Sequence, residues 1–140
     1  MLCGVQIDHP LGLAGHSDAD VPVHALMDAL LGAAGAGDIG ALFPDADPAF
    51  RDSSSVELLR RVVQRLRADG WSVGNADVTI VCEQPRVAGY REVMRANLAA
   101  ALGVAREAVS VKGTTTEGMG FEGRGEGISA TAVCVLAREE

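Results

Sequence analysis

The order of apolar patterns along this chain predicts an α+β, two-layer domain, with helices packed on one face of a small mixed β-sheet. Its 140 residues are 48% apolar but only 4% aromatic, enough for one domain (residues 1–140) with a core of small aliphatic side chains. Helical and alternating patterns follow one another in the order strand, helix, helix, strand, helix, strand, strand, with no internal repeat and no linker. Glycines and prolines fall between these patterns, so each segment has a readable start and stop.

Residues 2–7 read as a short strand ended by Asp8, His9 and Pro10. Ser17 or Asp18 then caps a helix running to about Ala34, whose 25–32 segment is apolar enough to pack in a core. Gly35, Gly37 and Gly40 break the pattern around Asp38 and Ile39, and Pro44 and Pro48 keep regular structure out of the following loop. Ser54 and Glu57 have capping-box spacing and open a helix to about Ala68, with Gly70 as its stop. Its Leu58, Leu59, Val62, Val63 and Leu66 recur with the 3.6 period, leaving its arginines and Glu57 to water. Residues 71–81 form a strand with a buried end at 77–81, and Gln84, Pro85 and Arg86 make a loop. A third helix spans residues 90–102 and stops at Gly103; residues 109–112 and 127–137 supply the last two strands.

Composition excludes several function classes. Twelve basic against 19 acidic residues give a net charge of −7, unsuited to a generic nucleic-acid binder. Cys3, Cys82 and Cys134 form no C-x-x-C pair, which argues against a disulfide framework and reads as three small buried hydrophobes in a reducing cytoplasm. No apolar run approaches transmembrane length, and the N-terminus lacks the basic start of a signal peptide. The expectation is a soluble cytoplasmic protein with no nucleic-acid and no membrane partner.

Two segments carry chemistry. His16, Ser17, Asp18, Asp20 and His24 crowd into nine residues at the opening of an apolar helix, and Asp20, His24 and Asp28 share one helix face. Metal ligation is the leading reason to place ionisable groups on such a face, since a neutral imidazole beside carboxylates is a common zinc ligand set. The second segment, residues 113–127, combines glycines, three threonines, Arg124 and exposed carboxylates. Its backbone N–H groups and hydroxyls can hold a phosphate, with Arg124 as a clamp and Glu117 on a divalent cation. By composition, a flexible hairpin loop explains it equally well.

The motifs are more specific than the composition. His-Ser-Asp-x-Asp-Val-x-x-His-Ala-Leu-x-Asp-Ala-Leu-Leu-Gly begins at His16, Gly-Asp-Ile-Gly-x-x-Phe-Pro-Asp-x-Asp at Gly37, and Thr-Thr-Thr-Glu-x-x-Gly-Phe-x-Gly-Arg-Gly-Glu-Gly-Ile at Thr114. Together, over residues 4–136, they resemble the 2-C-methyl-D-erythritol 2,4-cyclodiphosphate synthases of the non-mevalonate isoprenoid pathway. The resemblance implies a homotrimer with active sites between subunits. Each site converts 4-diphosphocytidyl-2-C-methyl-D-erythritol 2-phosphate to the cyclic diphosphate and CMP, with zinc (or another divalent transition metal) and magnesium as cofactors. It also implies roles by position. His24 would be a zinc ligand and Glu117 would hold magnesium. His16 and Ser17 would bind the phosphates, with His16 and Thr115 as the catalytic pair. Asp38 and Gly40 would bind the methylerythritol hydroxyls, inside a loop of Phe43, Pro44, Asp45, Ala46 and Asp47. Cys82, Glu83, Gln84, Pro85, Arg86, Val87 and Ala88, with Thr114, Thr115, Thr116 and Glu117, would form the cytidine pocket. Phe121 and Arg124 would lie near the phosphates and an apolar channel on the trimer axis. Asp28 would orient His24 or cap locally, the aspartates would shape the helix entry, and Glu126 would pair with Arg124 across that channel rather than act as a catalytic base.

One part of the family pattern is not in the chain. The family's zinc site also takes an Asp-x-His pair from a first strand, whereas residues 3–7 align with the Gly-Gly-Val-x-Ile that follows that strand. Asp8 and His9 fall in the variable turn, and as neighbours they would point to opposite faces of a strand. The expectation is therefore a further strand ahead of Met1 and, for these 140 residues, weak or absent zinc and low activity. The alternative reading is a non-catalytic trimer that binds isoprenoid diphosphates.

Overall fold

The computed structural model describes residues 1–7, 20–43 and 54–139. Helix α1 (Val21–Ala33) buries Pro22, Val23, Leu26, Met27, Leu30 and Leu31. Pro22 sits in its first turn, where a missing N–H costs nothing. The short α2 (Ile39–Leu42) is capped by Asp38, which accepts the Ala41 N–H at 2.9 Å. Helix α3 (Ser55–Ala68) is capped by the Ser54 hydroxyl accepting from Glu57 N. Its buried face includes the five apolar residues picked out by the 3.6 period. Helix α4 (Arg91–Leu102) follows a 3-10 turn at Ala88–Tyr90 and ends at Gly103, whose φ of 71° is the left-handed stop expected of a glycine. Among the described residues, no helix is long and apolar enough to cross a membrane.

Strands β1 (Trp71–Val81), β2 (Val109–Thr114) and β3 (Ser129–Arg138) form one mixed sheet in the order β2-β1-β3. β1 runs parallel to β2, with α4 as the crossover, and antiparallel to β3. Residues alternate across the sheet. Ala76, Val78 and Ile80 of β1 and Val109 and Val111 of β2 are buried, and Ala132, Cys134 and Leu136 of β3 pack against the same core as α1, α3 and α4. The register slips between Val73 and Asn75, leaving Gly74 as the extra residue of a bulge. A side chain there would press on the Val135 carbonyl, which explains the glycine. The short helix α5 (Gly120–Gly123) lies inside the glycine-rich segment before β3.

Two sequence expectations are corrected. Residues 2–7 are not a strand of the sheet. Leu2 and Val5 exchange two backbone hydrogen bonds of 2.9 Å around Cys3 and Gly4, both at positive φ, so the chain turns back on itself. The cap of α1 is Asp20, whose carboxylate accepts from Val23 N at 3.3 Å, rather than Ser17 or Asp18. Ser17 and Asp18, like Asp8, His9 and Pro10, lie outside the described residues.

Candidate active site

The parallel strands β1 and β2 end side by side, Val81 against Thr114, and the Cys82 N–H donates to the Thr114 carbonyl at 3.0 Å. Both following loops therefore open at one edge, outside the carboxyl ends of parallel strands, where α/β sheets usually bind ligands. Between them lies a cleft of about 310 Å³. It is lined by Cys82, Glu83, Gln84, Pro85, Arg86, Val87 and Ala88 from the loop after β1, by Gly113 and Thr114 at the end of β2, and by Thr115 beyond it. The Cys82 thiol donates to the Pro85 carbonyl at 3.4 Å; burial, and then the nearby Glu83 charge, raise it above the ordinary thiol range. It is a wall of the cleft, not a nucleophile.

Gly113, the first residue of the glycine-rich segment, and Arg91, which no sequence motif marks, also line the cleft. A side chain at Gly113 would overlap Val87, so the glycine lets the Val87 loop close over β2. Arg91 opens α4, and the 3-10 turn at Ala88–Tyr90 folds it back over the cleft. A helix start three residues beyond a predicted binding loop was the available signal. Arg91 joins Arg86 as a second cation on the cleft wall.

Beyond the cleft, Thr116 and Glu117 continue the second loop. Glu117 is exposed and takes a positive φ of 55°, and its N–H donates to the Thr115 hydroxyl at 3.2 Å. Glu83 reaches across from the first loop, and its Oε1 accepts the Gly118 N–H at 2.9 Å. Gly123 packs so tightly on Gly118 that any side chain there would overlap the Gly118 backbone. Arg124 grips Glu126 of the same chain through two bonds, Nε to Oε1 at 2.6 Å and Nη2 to Oε2 at 3.2 Å. Phe121 is 46% exposed beside it, its ring against Gly127.

On the ionisable face of α1, Asp20 and Asp28 are both engaged by backbone N–H groups. Asp20 is completely buried, and its carboxylate accepts from Cys3 N at 2.8 Å, Gly4 N at 2.7 Å and Val23 N, tying the N-terminal turn to the helix. Asp28 accepts the N–H of Ile39, the first residue of α2, at 2.9 Å. Nε2 of His24 and the buried Ser55 hydroxyl share a hydrogen bond of 3.0 Å. Among the described residues, no three His, Cys, Asp or Glu side chains converge where a metal ion could sit. Those residues include one of the zinc ligands implied by resemblance and do not fit a complete zinc centre. Asp38 and Gly40 are exposed at the start of α2, and Phe43 closes it, packed partly against the core. His16, Ser17, Pro44, Asp45, Ala46 and Asp47 lie outside the described residues.

Comparison with known proteins matches residues 1–137 to the YgbB family model. The 2-C-methyl-D-erythritol 2,4-cyclodiphosphate synthase of Moorella thermoacetica is 56% identical over 140 residues, all of this chain and 86% of that protein. The bifunctional IspDF of Campylobacter jejuni superposes with a TM-score of 0.95 at 40% identity, across the whole of this chain and 38% of that longer one. A solved 2C-methyl-D-erythritol-2,4-cyclodiphosphate synthase in a CDP-bound form superposes with a TM-score of 0.89 at 34% identity, covering 98% of this chain and 89% of that one.

Proposed function

This chain belongs to the YgbB family, the 2-C-methyl-D-erythritol 2,4-cyclodiphosphate synthases of non-mevalonate isoprenoid biosynthesis, and from that premise we propose how its residues divide the work of cyclisation. An oxygen of the substrate's 2-phosphate forms a bond to the β-phosphorus, the bond from that phosphorus to the CMP oxygen breaks, and CMP leaves with the electron pair. Nucleophile and electrophile belong to one molecule, so the protein must fold the substrate and neutralise charge rather than supply a covalent intermediate.

The observation that carries this reading is the cleft where the two parallel strands end, built from the loops that the resemblance assigns to the cytidine pocket. Cytidine would lie against Cys82 and the loop from Gln84 to Ala88 with Gly113, Thr114 and Thr115, and Arg86 and Arg91 would attract its phosphates. A CDP-bound family structure with the same fold supports a cytidine nucleotide as the ligand class. Thr115 would donate to the transferring phosphoryl group. Asp38 and Gly40 would hold the methylerythritol hydroxyls, within the loop from Phe43 to Asp47, and His16 and Ser17 the 2-phosphate. Glu117 fits a magnesium site of one carboxylate, because Mg²⁺ takes its remaining ligands from water and substrate phosphates. Magnesium held by Glu117 would supply charge neutralisation at the phosphates, and His24 would contribute one ligand to a zinc ion. Active sites between the subunits of a homotrimer, in a reducing cytoplasm, complete the proposal. The three free thiols support the reducing compartment.

The test is CMP release from 4-diphosphocytidyl-2-C-methyl-D-erythritol 2-phosphate with Mg²⁺ and Zn²⁺ supplied, followed by ³¹P NMR for the cyclic diphosphate. CMP and cyclic product in equal amounts are expected, formed at the low rate that an incomplete zinc site allows. Tight prenyl-diphosphate binding with no CMP release would overturn the reading in favour of a binding protein.

A further inference from the structure

We propose that Glu83 is a positioning residue, which ties the loop bearing Glu117 to the rim of the cleft so that the two move as one unit. What Glu117 holds rests on the function proposed above; the tie itself rests on geometry. Glu83 leaves the end of β1, and its Oε1 accepts the Gly118 N–H at 2.9 Å across 35 residues of chain. The Thr116 hydroxyl stands 3.5 Å from the same oxygen and also contacts the Met119 carbonyl, so its single proton serves one or the other. Glu117 lies between these two anchored residues. Its φ of 55° is one that a residue with a side chain rarely adopts, so its surroundings must hold it.

Two of the restraints are local: the Thr115 hydroxyl on the Glu117 N–H, and Gly123 packed on Gly118. Glu83 supplies the restraint that comes from the other wall of the cleft. A carboxylate facing a substrate diphosphate would repel it, whereas one bonded to a backbone N–H forms a strong charge-assisted bond. Glu83 therefore serves the nucleotide cleft through the loop rather than by touching the base. Filling the cleft and presenting the Glu117 carboxylate become a single structural event.

Amide hydrogen exchange in the full chain, without substrate or metal, tests the tie directly. Losing a hydrogen bond to a charged acceptor lowers protection by about tenfold or more. Glu83→Ala should show that loss at Gly118 while the β1 and β2 amides stay protected; Glu83→Gln, which keeps a carbonyl acceptor, should retain Gly118 protection. In turnover, Glu83→Ala should lower kcat and raise the Mg²⁺ needed for half-maximal rate, each by about tenfold, with CDP affinity held within about twofold. Unchanged Gly118 exchange, or weakened CDP binding with normal kcat and Mg²⁺ dependence, would overturn the proposal and make Glu83 a base contact. Should Glu83→Ala fail to fold, Glu83→Asp, one methylene short of Gly118, carries the same exchange test. A protein that releases no CMP would defeat the functional reading, while Gly118 exchange would still decide the tie.

Discussion

At the scale of single residues, Asp20 shows how burial reverses a chemical reading. Its spacing from His24 and Asp28 suggested a ligand face, yet its carboxylate is spent on the N–H groups of Cys3, Gly4 and Val23. Truncation would leave buried donors unpaired, so Asp20→Ala should cost about 3 kcal/mol in urea unfolding, and Asp20→Asn, which keeps one acceptor oxygen, about half of that. Cys3, buried beside it, has its thiol pushed above the ordinary value of 9.0 by desolvation and then by the Asp20 charge. With the folded-state pKa raised, the unfolded chain loses its proton first. That contribution is complete below pH 9 and falls as pH rises beyond it, at up to about 1.4 kcal/mol per unit. Denaturation curves from pH 8 to 10.5 should therefore slope down more steeply for the wild type than for Cys3→Ala.

Among elements, the join between β2 and β3 matters most. Three threonines, Glu117 and α5 are packed there so closely that Gly118 and Gly123 share backbone contact. Gly123→Ala would push the Gly118 backbone away and release Glu117 from its left-handed conformation. CMP release should fall by more than about tenfold, while unfolding stability changes by about 1 kcal/mol, because α5 buries no side chain. Equal losses of stability and activity would show instead that the loop is part of the folding core. The segments whose period was regular, α3, α4 and β1, match their sequence bounds almost residue for residue. The misread segment, residues 2–7, is a two-residue turn that mimics a short apolar strand in composition.

Over the whole molecule, the helices cover one face of the sheet, and among the described residues the other face is uncovered. On that outer face Val133 is 63% and Val135 56% exposed, beside Thr131 and the Asp77–Lys112 ion pair of 2.9 Å. Asp77 Oδ1 is buried there without a hydrogen-bond partner among the described residues. Exposed β-branched side chains on an open sheet invite self-association, which fits the proposed homotrimer. Val133→Lys should shift sedimentation from a trimer towards a monomer and abolish CMP release while leaving the far-ultraviolet circular dichroism intact. A variant that stays active as a monomer would refute sites shared between subunits.

Helix periods, strand alternation, the caps at Ser54 and Gly103, and the family motifs are legible in the residue order, because each is set by residues a few positions apart. Which distant groups meet follows from how the elements pack, and no local pattern encodes it. Parallel pairing brings the ends of β1 and β2 to one edge, so Cys82 faces Thr114, Arg91 joins a cleft no local pattern assigned to it, and Glu83 reaches Gly118. Packing likewise turned Asp20 from a candidate ligand into a buried cap. Burial and strand register are non-local quantities, and the crowded polar helix entry at Asp20 could not reveal them until the N-terminal turn was seen folded against it.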